Sequence, residues 1–265
     1  MFPSVFGIQY IHTYGLFVGL AIVSSIYIAT KLGIQSGLKE KHLNRLFIAG
    51  ILAGLIGGRL FYAFEDIQHF IDHPFELLLI NQGGLTVYGA LIIGVGTWIF
   101  LIKKYKMPLM RTLDALVISL PLGLAIGRIG CFSAGCCYGK AVTGDHIPWF
   151  AIKFPAGVNS FAPVGHFLYP TQLMDLAYNL FIFIVLLVFR KKFQKYDGQA
   201  VWLFMMLYGI FRSIVEIYRG DIERGFIINN YLSVSQAISI PIVLFASYML
   251  IFYKGNKFIL PDNKP

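Results

Sequence analysis

Seven stretches of this chain are long and apolar enough to cross a lipid bilayer, and they leave few folds open to it. About 20 predominantly apolar residues span the hydrocarbon core. Runs of that kind occupy residues 13–31, 46–64, 86–102, 111–130, 171–189, 200–218 and 234–253. Inside a bilayer the backbone has no water to bond with, so each run must satisfy its own polar groups as a helix. The third run is the shortest and would cross with little tilt. Charged residues make up only 13% of the chain, against about 25% in soluble domains. The expectation is an all-α integral membrane protein of seven transmembrane helices in a single domain, residues 1–265. The connection 131–170, rich in glycine, proline and aromatic residues, would cover one end.

The charges between the runs orient them. One set of connections and the tail hold Lys31, Lys39, Lys41, Arg45, Lys103, Lys104, Lys106, Arg111, Arg190, Lys191, Lys192, Lys195, Lys254, Lys257 and Lys264, or 15 of the 22 basic residues. The opposite connections hold Lys140, Lys153, Arg219 and Arg224, alongside Glu65, Asp66, Asp72, Glu76, Asp145, Asp221 and Glu223. Basic residues collect on the cytoplasmic side, so the N-terminus is expected outside and the C-terminus in the cytoplasm. An odd number of spans requires the same arrangement. The formal charge of +9 is therefore spread over cytoplasmic loop ends, where it attracts anionic membrane lipids. It is not the footprint of a nucleic-acid-binding protein. The first ten residues lack a basic segment and an A-x-A site, so no cleaved signal peptide is expected.

Three arginines interrupt the apolar pattern: Arg59, Arg128 and Arg212. A guanidinium at the centre of a spanning helix costs about 2.5–3.5 kcal/mol. Each therefore calls for a partner, a wet cavity or an anionic ligand. Arg212 precedes Glu216 by one helical turn, the spacing of an ion pair. Arg59, near a span end, either snorkels to the interface or supports a site. Arg128 lies between Gly127 and Gly130 with no carboxylate close in sequence. Asp114, beside Arg111, reads as an ordinary helix-end charge.

With the expected topology, polar groups from six spans meet at the outer leaflet. Among them are His12 and Tyr14, Arg59, Gly83-Gly84 with Tyr88, Arg128, Gln172 and Asp175, and Tyr208 with Arg212, Glu216 and Arg219. The three cysteines, Cys131, Cys136 and Cys137, all lie just after Arg128. C-x4-C-C matches no standard zinc spacing, so no metal is expected. The cysteines are open to three readings: a disulfide on an oxidising face, inert small side chains, or a thiolate favoured by the nearby guanidinium.

Several motifs, in collinear order over nearly the whole chain, resemble the prolipoprotein diacylglyceryl transferase family. They are Tyr14-Gly15-Leu16; Gly83-Gly84-x3-Tyr88-Gly89; Gly127-Arg128-Ile129-Gly130-x-Phe132 with Gly135 and Gly139; Pro170-Thr171-Gln172-Leu173; Tyr208-Gly209-x-Phe211-Arg212-x3-Glu216-x2-Arg219; and Ser235-Gln236-x2-Ser239. The R-I-G-x-F and Y-G-x-F-R-x3-E elements are specific, whereas the glycine pairs alone are weak. The resemblance implies a seven-span enzyme of the bacterial cytoplasmic (inner) membrane with its site facing the outer leaflet. Its substrates would be phosphatidylglycerol and signal-peptide-bearing prolipoproteins. It would move a diacylglyceryl group onto the lipobox cysteine thiol to give a thioether, with no cofactor. The expected catalytic residues are Arg128, Arg212, Tyr88 and Glu216. Tyr14, Gly84, Gly139, Tyr208, Cys131, Cys136, Gln172 and Arg59 are expected to bind substrate.

The chemistry suits these residues. Displacing a phosphodiester from a glycerol carbon builds charge on the departing phosphate, which paired guanidiniums grip bidentately. The incoming thiol, with a reference pKa of about 8.5, must also lose its proton. Here the chain departs from the family pattern. Tyr88 stands where the family has histidine, and a phenol of pKa about 10 is a poor base at neutral pH. Cys131 and Cys136 replace the familiar asparagine and acidic residue. A related lipid-dependent transferase with another acceptor is the alternative function. A phospholipid-binding or transport protein is the third, disfavoured because a transporter carries polar groups through the midplane and shows paired repeats.

Overall fold

The computed structural model describes residues 13–65, 67–73, 75–76, 84, 86–143, 147–155, 162–220, 226–228 and 232–258. His12, Gly83, Asp66, Asp145, Asp221, Glu223, Arg224, Lys264 and the stretches 144–146 and 156–161 lie outside the described residues. The helices are α1 (Thr13–Gln35), α2 (Glu40–Glu65), α3 (Ile67–Asp72), α4 (Val87–Lys104), α5 (Leu109–Ala134), α6 (Thr171–Lys192), α7 (Gln199–Tyr218) and α8 (Val234–Phe252). Six of them, α1, α2, α5, α6, α7 and α8, are long and apolar enough to cross a membrane. The protein is thus an all-helical, multi-pass membrane protein. Helix α4, at 18 residues, is about 27 Å long at 1.5 Å per residue, just under a hydrocarbon core of about 30 Å.

The chain forms two compact units, one of Met1–Ala29 with Leu113–Pro265 and one of Thr30–Thr112. In the second unit α2 packs against α4. A Cβ on Gly57 would lie 2.4 Å from the Gly89 carbonyl oxygen, and one on Gly89 2.3 Å from that of Gly57. Only glycine permits this approach, the close contact typical of membrane helices. Farther along, Trp98 Nε1 donates to the Leu46 carbonyl at 3.0 Å, so the two helices run antiparallel.

In the first unit α6, α7 and α8 pack in chain order. Asp114, expected to be an ordinary helix-end charge beside Arg111, is fully buried and serves another helix. Its Oδ2 accepts from Gln194 Nε2 at 2.6 Å and the Gly198 amide at 2.7 Å, and its Oδ1 from the Val201 amide at 3.1 Å. It caps the N-terminus of α7, whose first amides lack intrahelical partners. Helix α8 starts with a capping box between Ser233 and Gln236.

The 131–170 connection, expected to cover one end, is partly regular. Helix α5 continues through Ala134 and ends where Gly135 turns to φ +73°, which puts Cys131 on its last turn. Beyond it, β1 (Ile152–Lys153) pairs antiparallel with β2 (Phe167–Leu168). Phe154, Ala162 and Leu168 make a small core under Tyr138 and Ile152. A second short hairpin joins β3 (Phe226–Ile228) to β4 (Leu232–Ser233) ahead of α8.

Candidate active site

The partner that the sequence near Arg128 lacks comes from α6. Arg128 Nη2 lies 2.8 Å from Asp175 Oδ2, with the side chains 18% and 2% exposed. Asp175 falls on the second turn of α6 because Pro170 and Thr171 begin that helix at the level where α5 ends. A buried carboxylate offsets much of the cost of a buried guanidinium and fixes its direction. Asp175 also feels the fields of Arg212 and Arg219, after that of Arg128.

The pair that i, i+4 spacing anticipates in α7 is formed. Arg212 Nη1 lies 2.8 Å from Glu216 Oε2, with side chains 14% and 2% exposed. Arg212 Nη2 donates to Ser235 Oγ at 3.1 Å, in the first turn of α8. Gln236 Nε2 donates to the Ser213 carbonyl at 3.3 Å, tying the two helices together at this level. Tyr208, one turn before Arg212, stacks on Phe204 at 5.4 Å and meets the edge of Tyr178 at 6.0 Å. Tyr178 in turn stacks flat on Phe211 at 5.7 Å. Asp175 is among the polar groups expected at this level, but neither its pairing with Arg128 nor Tyr178 as a wall follows from the sequence.

Beside the arginines, α6 and α7 leave an apolar cavity of about 560 Å³. Met174, Tyr178, Phe181, Phe211, Ile214 and Tyr218 are among the residues lining it. Tyr178 lines the cavity and also faces Arg128 and Asp175 of the polar cluster.

The chain after α5 is pinned to the same place. Gln172 is fully buried and donates to the Cys136 carbonyl at 2.9 Å, while Thr171 Oγ1 donates to that of Cys137 at 2.8 Å. Gly139 bridges Arg219, and the Lys140 amide donates to the Tyr218 carbonyl at 2.8 Å. A Cβ on Gly139 would lie 2.3 Å from the Tyr169 carbonyl oxygen, which explains the glycine at this junction. Cys131, Cys136 and Cys137 are all free thiols, so the disulfide reading is not realised. Hydrogen bonding within the trio, first with Cys131, pushes the Cys136 thiol up and holds the Cys137 thiol below the usual range. Arg128 and Arg219 pull Cys137 further in the same direction. Tyr14, on the first turn of α1, packs over Gly130 and lies within the field of Arg128 and the three thiols.

The remaining candidates lie in the second unit. Arg59 is 6% exposed, held inside rather than reaching for an interface. It donates to the carbonyls of Gly84, at 3.0 Å, and Glu76, and its guanidinium faces the rings of Tyr62 and Phe70 at 5.6 Å. Gly84 adopts φ +74°, and a Cβ there would press on Tyr62 at 2.4 Å. Tyr88 stands exposed in the first turn of α4.

A family model for prolipoprotein diacylglyceryl transferase matches residues 3–252. The chain belongs to this family. Among its relatives, a phosphatidylglycerol–prolipoprotein diacylglyceryl transferase of Clostridium tetani is 36% identical over 241 residues, covering 89% of this chain and 90% of the relative. A second such enzyme, from Clostridium perfringens, is 33% identical over 96% of this chain and 94% of its own length. One from Finegoldia magna is 30% identical, with 98% of both chains covered. Family membership thus extends over both compact units, and the arginine pairs, the cysteine loop and Tyr88 all lie within the matched residues.

Proposed function

We propose that this protein transfers the diacylglyceryl group of phosphatidylglycerol to the lipobox cysteine thiol of prolipoproteins. The observation that carries this reading is the pair of guanidiniums, Arg128 and Arg212, each directed by a buried carboxylate and set beside an apolar cavity. Each keeps N–H groups beyond those facing its carboxylate, since a guanidinium has five. Those donors grip the phosphate of the lipid while its acyl chains lie along Phe181, Phe211 and Ile214. The thiolate sulfur attacks the glycerol carbon, the carbon–oxygen bond to phosphate breaks, and glycerol phosphate leaves with the electron pair. The arginines stabilise the charge developing on that phosphate, which is where fixed positive groups accelerate a reaction most.

In this scheme Asp175 and Glu216 position the arginines. The summed field of Arg128, Arg212 and Arg219 lowers the cost of ionising the incoming thiol. Tyr88, at the position where the family has histidine, is the candidate to act through its hydroxyl. Gln172 and Gly139 hold the loop that borders the lipid, with Tyr14, Tyr208, Cys131 and Cys136 as its walls. Arg59 and Gly84 shape the segment that leads to Tyr88.

The chain works as a single domain in the bacterial cytoplasmic membrane, with seven spans, α4 included. Its N-terminus lies outside and its C-terminus in the cytoplasm. The clustering of basic residues between alternate spans supports this orientation and, with it, an arginine cluster in the outer leaflet, where a translocated prolipoprotein presents its cysteine. The test is complementation of a strain depleted of its own diacylglyceryl transferase. Growth and lipid-modified lipoproteins are expected. Failure despite normal membrane expression would favour another acceptor, the reading to which the replaced family positions Tyr88, Cys131 and Cys136 point.

A further inference from the structure

The spacing of Cys131, Cys136 and Cys137 along the chain matches no metal motif, but the fold gathers them. Helix α5 ends at Ala134 and the chain reverses at Gly135, with φ +73°. The Cys136 amide then donates back to the Cys131 carbonyl at 3.1 Å. Cys137 follows at φ +58°, a left-handed conformation unfavourable for a residue with a Cβ. These two reversals bring the three Sγ atoms within 4.8 Å of one another. Gln172 and Thr171 of α6 fix the carbonyls of Cys136 and Cys137, so the arrangement is braced from outside the loop.

Three inert side chains filling a gap would not need a strained backbone to turn all their sulfurs inward. A zinc–sulfur bond is about 2.3 Å, which puts tetrahedrally arranged sulfurs about 3.8 Å apart. The observed triangle is within about 1 Å of that geometry. A disulfide needs sulfurs at about 2.05 Å, a much larger displacement. Three thiolates around a divalent ion leave one net negative charge. Arg128, one turn before Cys131 on α5, and Arg219, bridged to Gly139, supply positive charge beside it.

We propose that Cys131, Cys136 and Cys137 form a tris-thiolate site for one soft d10 cation, zinc in the cell. On binding, three sulfur–metal bonds form, each thiol releases its proton to solvent, and no electrons are transferred. Water fills the fourth position. The site stands on the thiol geometry alone and does not depend on the transferase reading.

The test uses the full-length, reduced protein in detergent, with Cd²⁺ as the probe and Zn²⁺ as competitor. One Cd²⁺ per chain is expected, with a thiolate-to-metal charge-transfer band and all three cysteines protected from alkylation. Zn²⁺ should displace it. Cys131→Ser, Cys136→Ser and Cys137→Ser should each weaken Cd²⁺ binding by more than the roughly 10–100-fold that loss of an outer-shell partner costs. Three freely alkylated thiols in the presence of Cd²⁺ would overturn the proposal. So would an unchanged affinity in any folded single variant, or a disulfide between two of the cysteines in the reduced preparation. The protection experiment needs only the wild-type chain and stands if a variant fails to fold.

Discussion

Helix α5 carries a charge near each end, Asp114 fully buried and Arg128 mostly so, about 21 Å apart at 1.5 Å per residue, and the two are handled in opposite ways. Asp114 is sealed: both oxygens are occupied by α7 amides and Gln194, all at 3.1 Å or less. Arg128 has a carboxylate on one side, but a Cβ added at neighbouring Gly127 would meet no atom within 4 Å. The thiols of Cys131 and Cys137 lie in its field, and two further guanidiniums lie in that of its partner Asp175. A buried charge whose every bond is internal serves the fold. One that retains donors beside open space is arranged for a ligand.

This contrast can be broken by substitutions at either end. The largest effect on stability is expected from Asp175→Asn. It leaves the Arg128 guanidinium buried without its counter-charge, a loss of about 3–5 kcal/mol, read as a fall in the melting temperature of detergent-purified protein together with loss of transfer. Asp114→Ala should cost about 1–3 kcal/mol by orphaning the α7 amides. The surviving folded fraction should transfer lipid at the normal rate, because nothing at the Arg128 end has changed. Tyr88→Phe should leave stability unaltered and slow transfer by about fivefold, the worth of one hydrogen bond, in a peptide-labelling assay.

The smallest effect lies beside Asp114. The Tyr196 phenol, whose hydroxyl donates to the Leu250 carbonyl at 3.3 Å, is pushed above its ordinary value by burial and by the charge of Asp114. Its neutral form therefore stabilises the fold below the unfolded pKa of about 10, and that stability is lost as pH rises through the higher folded value. Tyr196→Phe should flatten the decline in melting temperature above about pH 10. An unchanged alkaline limb would remove Tyr196 from the account.

What could be read along the chain was what local spacing determines. The apolar runs marked the long helices, with the largest miss six residues at the start of α2, because hydrocarbon leaves a helix no alternative. One helical turn from Arg212 to Glu216 was enough to anticipate their pair. The Arg128–Asp175 pair was not legible, since it joins two helices separated by the whole 131–170 connection. Asp114 was misread for the same reason: its partners are amides of α7, and amides carry no label in a sequence. The cysteine cluster depends on left-handed backbone at Gly135 and Cys137, and residue type announces that at the glycine alone. Arg59 stayed open between an interface charge and a supporting one until the Gly84 and Glu76 carbonyls were seen to hold it.

The central claim is that Arg128 and Arg212 act on the phosphate of the lipid and are not there to hold the helices together. The direct measurement is single-turnover transfer of a labelled diacylglyceryl group from phosphatidylglycerol to a lipobox peptide, made on folded Arg128→Ala and Arg212→Ala proteins. Each should lose at least about 10²–10³ in the rate of the chemical step. Transfer at the wild-type rate in either variant would contradict the account.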